Sequence, residues 1–282
     1  MNTKDAWSLH AQNWSLVAPP LKPGLEDIRF YEQYAHSLDM PAEGMNGENA
    51  SQGPRALLLG VTPEIALMDW PANTRLVAVD RSRMMIERVW PGEKVGKRFS
   101  AVQADWVNQP LASASCSIVC ADGCFTQLSY PQGYAGVLQS LSRTLETGGL
   151  FIARFFVRPP GGESLNAIAA DLASKRIGNF HILKFRLAMA LQPSTEAGVQ
   201  LASVWNAWKE LVPDPDMLCK QMGWAPAVTA TIDAYRDVEK FYTFPSLQEV
   251  RAVCGTFFEE IDMRVPAYPF GECCPLLAMR KK

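Results

Sequence analysis

From residue 55 onward the chain alternates short apolar runs with amphipathic stretches. The apolar runs at 56–59, 76–79, 99–103, 115–121 and 150–157 have the length of buried strands, and the stretches between them carry helical spacing. Residues 82–90 read as a helix broken by Pro91 and Gly92. Residues 134–145 read as an amphipathic helix with Leu138, Leu141 and Leu145 on one side, stopped by Gly148 and Gly149. Nearly continuous apolar runs separated by helices predict a doubly wound α/β fold, its sheet mostly parallel and buried on both faces. A helix at 246–254 opens with the capping-box spacing Ser246-x-x-Glu249. The last two runs, 257–265 and 274–280, lack a crossover helix between them and are expected to pair antiparallel.

Two regions break the rhythm. Residues 163–176, 180–191, 196–211 and 214–222 all have helical periodicity, and Pro159, Pro160, Pro193, Pro213, Pro215 and Pro226 cut them apart. A helical insertion over 158–245 accounts for them, and its Phe180, Phe185, Met189, Trp205 and Trp208 are where substrate choice is expected to reside. The same stripe would serve as a homodimer interface. At the N-terminus, Trp7, Trp14 and the breakers Pro19-Pro20 and Lys22-Pro23-Gly24 precede a helix at 25–38 with an apolar face of Leu25, Ile28, Tyr31, Tyr34, Ala35 and Leu38. That helix either packs on the main domain or closes over a ligand, and residues 41–53 form a linker. The expected organisation is an N-terminal arm, helix and linker acting as a lid (1–53), an α/β core (54–157 with 246–282) and the insertion (158–245) as substrate cap or dimer interface.

Composition narrows the class. A chain of 282 residues, 48% hydrophobic, buries a full core, and a net charge of -2 provides no basic excess for a nucleic-acid partner. No signal segment and no long uninterrupted apolar run are visible, so no membrane span is expected and a cytoplasmic location is the default. Seven cysteines sit inside apolar runs and read as reduced, buried thiols. Cys116, Cys120 and Cys124 allow a metal or iron–sulfur cluster, but the absence of CxxC or HxH spacing favours small apolar fillers. With only His10, His36 and His181, a histidine-rich metal site is not expected.

The chemistry concentrates in residues 55–82: a strand, a turn at Gly60, a short helix, and a second strand ending on Asp80. A dinucleotide site would want G-x-G-x-x-G. The sequence here is Gly60-Val61-Thr62-Pro63-Glu64, and Glu64 would repel a pyrophosphate at the helix N-terminus. A ligand without phosphate, carrying a cationic centre and a ribose, fits better. A nicotinamide oxidoreductase is the weaker option.

In the order of these elements the sequence resembles the class I S-adenosylmethionine-dependent methyltransferases. The resemblance spans residues 56–280 outside the insertion. It implies a Rossmann-like sheet of seven strands with an antiparallel last strand, S-adenosylmethionine as cofactor, and methyl transfer to a small-molecule acceptor. It also implies cofactor-binding roles for Gly60, Thr62 and Glu64 under the methionine part, Asp80 with Arg81 at the ribose, Asp105 with Trp106 at the adenine, and Asp122 with Gly123 facing the transfer site. The family's strand-one acid corresponds to Leu58, and its second and third turn glycines to Thr62 and Glu64. A non-catalytic cofactor-binding or interaction module on this fold is the alternative. Plainer readings stand beside these: Asp80 as a helix cap, Asp105 as a solvated loop acid, Trp106 as core, Asp122-Gly123 as a turn, and Glu64 as a first-turn acid facing the helix dipole. For a catalytic base, His181, Tyr31, Tyr34 and Asp122 are available, and no feature of the sequence chooses among them.

Overall fold

The computed structural model describes residues 11–39 and 53–282. Trp7 and most of the expected linker lie outside the described residues. Strands β1 (Arg55–Leu59), β2 (Arg75–Asp80), β3 (Phe99–Gln103), β4 (Cys116–Asp122) and β5 (Leu145–Arg154) pair parallel in the order β3-β2-β1-β4-β5. The sheet ends with β9 (Leu276–Lys281), antiparallel to β5, and β8 (Phe258–Arg264), antiparallel to β9. Among the described residues the sheet therefore has seven strands with β9 reversed, as expected.

The inner strands β2, β1, β4, β5 and β9 read as apolar because both faces are covered, whereas the edge strands β3 and β8 are largely half-buried or exposed. On one face Leu57, Leu59, Val119, Phe151 and Leu277 pack under helix α4 (Gln132–Thr144) and helix α10 (Leu247–Cys254). On the other, Ala56, Leu58, Ile118, Ile152 and Ala278 pack under helix α1 (Leu25–His36), the short α2 (Pro63–Ala66) and α3 (Arg83–Arg88). The capping box of α10 forms as its spacing predicts: Ser246 Oγ accepts from the Glu249 amide, and Glu249 Oε2 accepts from the Ser246 amide.

Three local expectations are corrected. The Gly148-Gly149 pair does not end α4; that helix stops at Thr144 and the chain enters β5 at once. The carbonyls of Arg143 and Thr144 accept from the amides of Ala114 and Ser115, so no glycine cap is needed. The glycines instead occupy a bulge, where pairing jumps from Cys116–Leu145 to Ile118–Leu150. Secondly, the predicted stripe of α1 is buried only in part: Tyr31 and Ala35 are buried and Ile28, Tyr34 and Leu38 pack partly buried against the same cluster, but Leu25 is exposed, and Phe30 and Asp27 are buried as well, Asp27 against an arginine described below.

Between β5 and α10 lie α5 (Leu165–Ala173), α6 (Phe180–Leu191), α7 (Leu201–Leu211), α8 (Pro215–Met222) and α9 (Pro226–Thr229). They share a third apolar cluster in which the Phe180 ring lies 5.0 Å from Trp208. Here the third correction falls: residues 196–200 are not helical. β6 (Val199–Gln200) pairs antiparallel with β7 (Phe241–Tyr242), a ladder too short to leave a periodicity.

Candidate functional site

A cavity of about 530 Å³ opens at the C-terminal ends of β1, β2, β3 and β4, where parallel sheets place their ligands and within the range of roughly 300–1,000 Å³ usual for small-molecule sites. Gly60, Thr62, Asp80, Arg81, Asp105, Trp106, Asp122 and Gly123 all line it. Gly60, at φ +84°, turns the chain out of β1 while its amide donates to Val79 O at 2.8 Å. Its missing Cβ would have stood 3.9 Å from Asp80 Oδ2, so the turn and this acid share one corner. Asp80 Oδ1 accepts from the Ser82 amide at 2.7 Å, whereas the capping side chain of α3 is Ser82 itself, accepting from Met85. Trp106 donates its indole N–H to Val79 O at 2.8 Å, which fixes the ring beside β2. Asp105 holds its own turn through the Val107 amide and pairs with exposed Arg81 at 3.5 Å.

Glu64 is the exception: it does not line the cavity. Its Oε1 pairs with Lys22 at 3.1 Å, and its Oε2 is buried without a partner. Through that contact Glu64 anchors part of the N-terminal arm. Trp14, Val17 and Leu21 line the cavity, and the segment is tied on its other side to α6, where Asn179 donates to Pro19 O and His181 Nε2 to Leu16 O.

The four candidates for a base are placed unambiguously. Tyr31 is wholly buried: its hydroxyl donates to Ala121 O and accepts from the Arg154 amide, and burial, then the Asp122 carboxylate, raises its pKa well above the ordinary value. Tyr34 donates to Asp262 away from the cavity, its pKa raised to about 12 by burial and that bond. His181 does not line the cavity, and burial with the nearby Lys184 lowers its pKa to about 4. Only Asp122 reaches the wall, and both its oxygens accept from Arg154, Nε at 2.6 Å and Nη2 at 3.2 Å.

The signal for Arg154 in the sequence is a single charge inside the run Phe151-Ile152-Ala153-Arg154-Phe155-Phe156. Its side chain has no exposed surface. Besides Asp122, its Nη1 donates to Asp27 of α1 at 3.4 Å and to the Tyr268 hydroxyl at 2.9 Å, and Tyr268 donates to Asp27. Burial opposes the Arg154 charge, but Asp122, Tyr268 and Asp27 hold its pKa well above the usual value. Burial pushes Asp122 up to about 6 against the pull of Arg154, and raises Asp27 likewise.

Beyond β4 the cavity continues under the helices that follow β5, along Phe156, Phe185, Tyr235 and Tyr242. Of the five residues expected to govern substrate choice only Phe185 lines it; Phe180 and Trp208 are interior to the third cluster, and Trp205 donates to Asp233 near the surface. Thr243 bonds Thr126 O and Leu128 O, so the short β6–β7 ladder carries Tyr242 to the mouth of β4.

A parallel β3-β2-β1-β4-β5 run completed by an inserted reversed strand, β9, and then β8 separates this sheet from dinucleotide folds, whose six strands all run parallel. This is the class I methyltransferase fold. Solved structures agree at the level of fold. The chain is similar to a structure named for zinc-dependent alcohol dehydrogenases of Rhodobacter sphaeroides (12% identity, 98% of this chain and 96% of that one, TM-score 0.58). It is similar to the PH0226 protein of Pyrococcus horikoshii OT3 (13%, 96% and 99%, TM-score 0.52) and to the CurJ carbon methyltransferase (10%, 90% and 54%, TM-score 0.51). No family model matches the sequence, and no curated protein matches it. Among the described residues, no three His, Cys, Asp or Glu side chains stand together to hold a metal, and no helix is long and apolar enough to cross a membrane.

The methyltransferase-fold cavity fits the cofactor that the fold implies. An open glycine corner beside the Asp80 carboxylate offers hydroxyl acceptors, and Trp106 with Val107 and Val137 offers apolar surface for a base. Neither the turn nor α2 presents a cation for a phosphate; its one charged side chain is acidic Glu64.

Proposed function

We propose that the protein binds S-adenosylmethionine and transfers its methyl group to a small-molecule acceptor. The observation that carries this reading is continuity: one cavity runs from Asp80 and Asp105 past Gly60 and Gly123 to Phe185 and Tyr242. A cofactor-binding module without catalysis would need only the first half. In this reading Asp80 accepts from the ribose hydroxyls, Trp106 and Asp105 flank the adenine, Gly60 and Thr62 let the chain approach the methionine end, and Gly123 leaves the far side open. Arg81, paired with Asp105, screens the outer edge. Glu64 acts one step removed, holding the Trp14–Leu21 segment through Lys22. That segment is the lid, rather than α1, and the helices at 158–245 are the substrate cap.

The cofactor supplies an electrophilic methyl group on a sulfonium. The protein's share is alignment and exclusion of water. Among the described residues no side chain lining the far half presents an unengaged base: Asp122 is held by Arg154, burial raises the Cys124 thiol, and burial raises Tyr242 to about 12. Acceptors that already carry a nucleophilic lone pair or ring carbon suit such a wall. The seven cysteines, all free and buried, accord with a reducing compartment such as the cytoplasm.

Calorimetric titration with S-adenosylmethionine and S-adenosylhomocysteine tests the first step. Binding is expected, with Asp80→Ala weaker by about tenfold or more, the cost of losing a charge-assisted hydrogen bond. No binding to the native chain, or equal binding to the variant, refutes the assignment.

A further inference from the structure

The far half of the cavity is walled by rings. Phe156 and Phe185 stand 4.6 Å apart between centroids, and Tyr235 and Tyr242 stand 5.9 Å apart. Phe244 joins the two pairs from behind, 5.7 Å from Phe185 and 6.3 Å from Tyr242. All four wall rings are buried, so the surface they present is held by packing. Two of them also meet a buried basic side chain. The Arg154 guanidinium lies 5.1 Å from the Phe156 centroid, and Lys184 Nζ lies 5.4 Å from that of Tyr235. Arg154 is balanced there by Asp27 and by Asp122, which lines the cavity, and burial lowers the Lys184 pKa to about 7, so what these side chains add to the wall is packing that holds the rings in place.

We infer that this compartment selects a flat aromatic acceptor and discriminates against saturated ones of equal size. The inference rests on the methyl-transfer reading for the word acceptor; the preference for a flat ring rests on the wall alone. Flat rings meet Phe185 and Tyr242 in offset or edge contact, which a saturated ring of equal size cannot make.

The test is calorimetric titration of the full chain with naphthol and with decahydronaphthol, its saturated counterpart, each with and without S-adenosylhomocysteine. Naphthol is expected to bind at least about tenfold more tightly than decahydronaphthol, the scale of a few aromatic contacts. Phe185→Leu, which keeps the bulk and loses the ring, is expected to weaken naphthol by about threefold or more while leaving S-adenosylhomocysteine unchanged. Decahydronaphthol binding as tightly as naphthol in the native chain overturns the inference without reference to any variant. If that happens while S-adenosylhomocysteine still binds, the cofactor reading survives. If naphthol keeps its preference and S-adenosylhomocysteine does not bind, the cofactor reading falls and the acceptor assignment with it.

Discussion

Arg154 shows most sharply what a single residue does in this molecule. It ends β5 with no exposed surface, forks onto Asp122 of β4 and reaches Asp27 of α1, so one side chain joins the cavity wall to the helix behind the sheet. Removing one member of a buried ionic group leaves the rest uncompensated, a loss of about 3–5 kcal/mol. Arg154→Met is therefore expected to destabilise the fold by that order at neutral pH. The pH dependence follows from the carboxylates. Asp122 is raised to about 6 by burial, so the folded state holds its proton more tightly than the unfolded chain does; that contribution is complete below about pH 4 and is lost as pH rises through 6. Without Arg154 both acids shift further upward, and the stability gap between variant and native protein widens from pH 4 to pH 8. Urea unfolding at several pH values reads this directly. A gap that stays constant would mean that Arg154 does not neutralise these acids.

At the scale of elements, the turn after β4 is held more closely than the turn after β1. Both use a glycine at positive φ, Gly60 at +84° and Gly123 at +61°. A Cβ on Gly60 would meet only Asp80 Oδ2, at 3.9 Å, but a Cβ on Gly123 would stand 2.4 Å from Phe156 Cε2. Phe156 in turn lies under Arg154, so it has little room to retreat. Gly123→Ala is thus expected to displace Phe156 into the cavity, costing about 1–3 kcal/mol of stability for the backbone strain and the clash. Its second effect is to weaken naphthol more than S-adenosylhomocysteine. Denaturation together with the two titrations measures both effects; a variant with native stability and native affinities would show that the approach of Gly123 to Phe156 is not a constraint.

For the whole molecule, the cavity is bounded by all three apolar clusters: Leu59 and Val137 come from one, Val61 and Met85 from the second, Phe185 and Tyr235 from the third. A ligand there stabilises the entire chain, by about 2.7 kcal/mol when present at 100 times its Kd. Hydrogen exchange with S-adenosylhomocysteine is expected to slow around residues 60–62, 105–107 and 123–128 together. Protection confined to one of these turns would mean that the bound molecule does not span the strand ends. The sequence alone determined the seven strands of the main sheet, the buried character of the inner ones, the α10 capping box, the reversed final pair and the placing of acids at 80 and 105 at strand ends, because local periodicity, turn residues and connection length write themselves into neighbouring positions. It also located the corner at Gly60, where a departure from a glycine-rich pattern is readable residue by residue. Only the tertiary structure decided that Glu64 faces Lys22 instead of the cavity, that Asp122 is spent on Arg154, that Asp27 of α1 is buried against the same arginine, and that Tyr242 arrives on a two-residue strand. Each of these depends on partners between 32 and 127 residues away, or on an element too short to have a period, and pairings across such distances leave no pattern in a single chain.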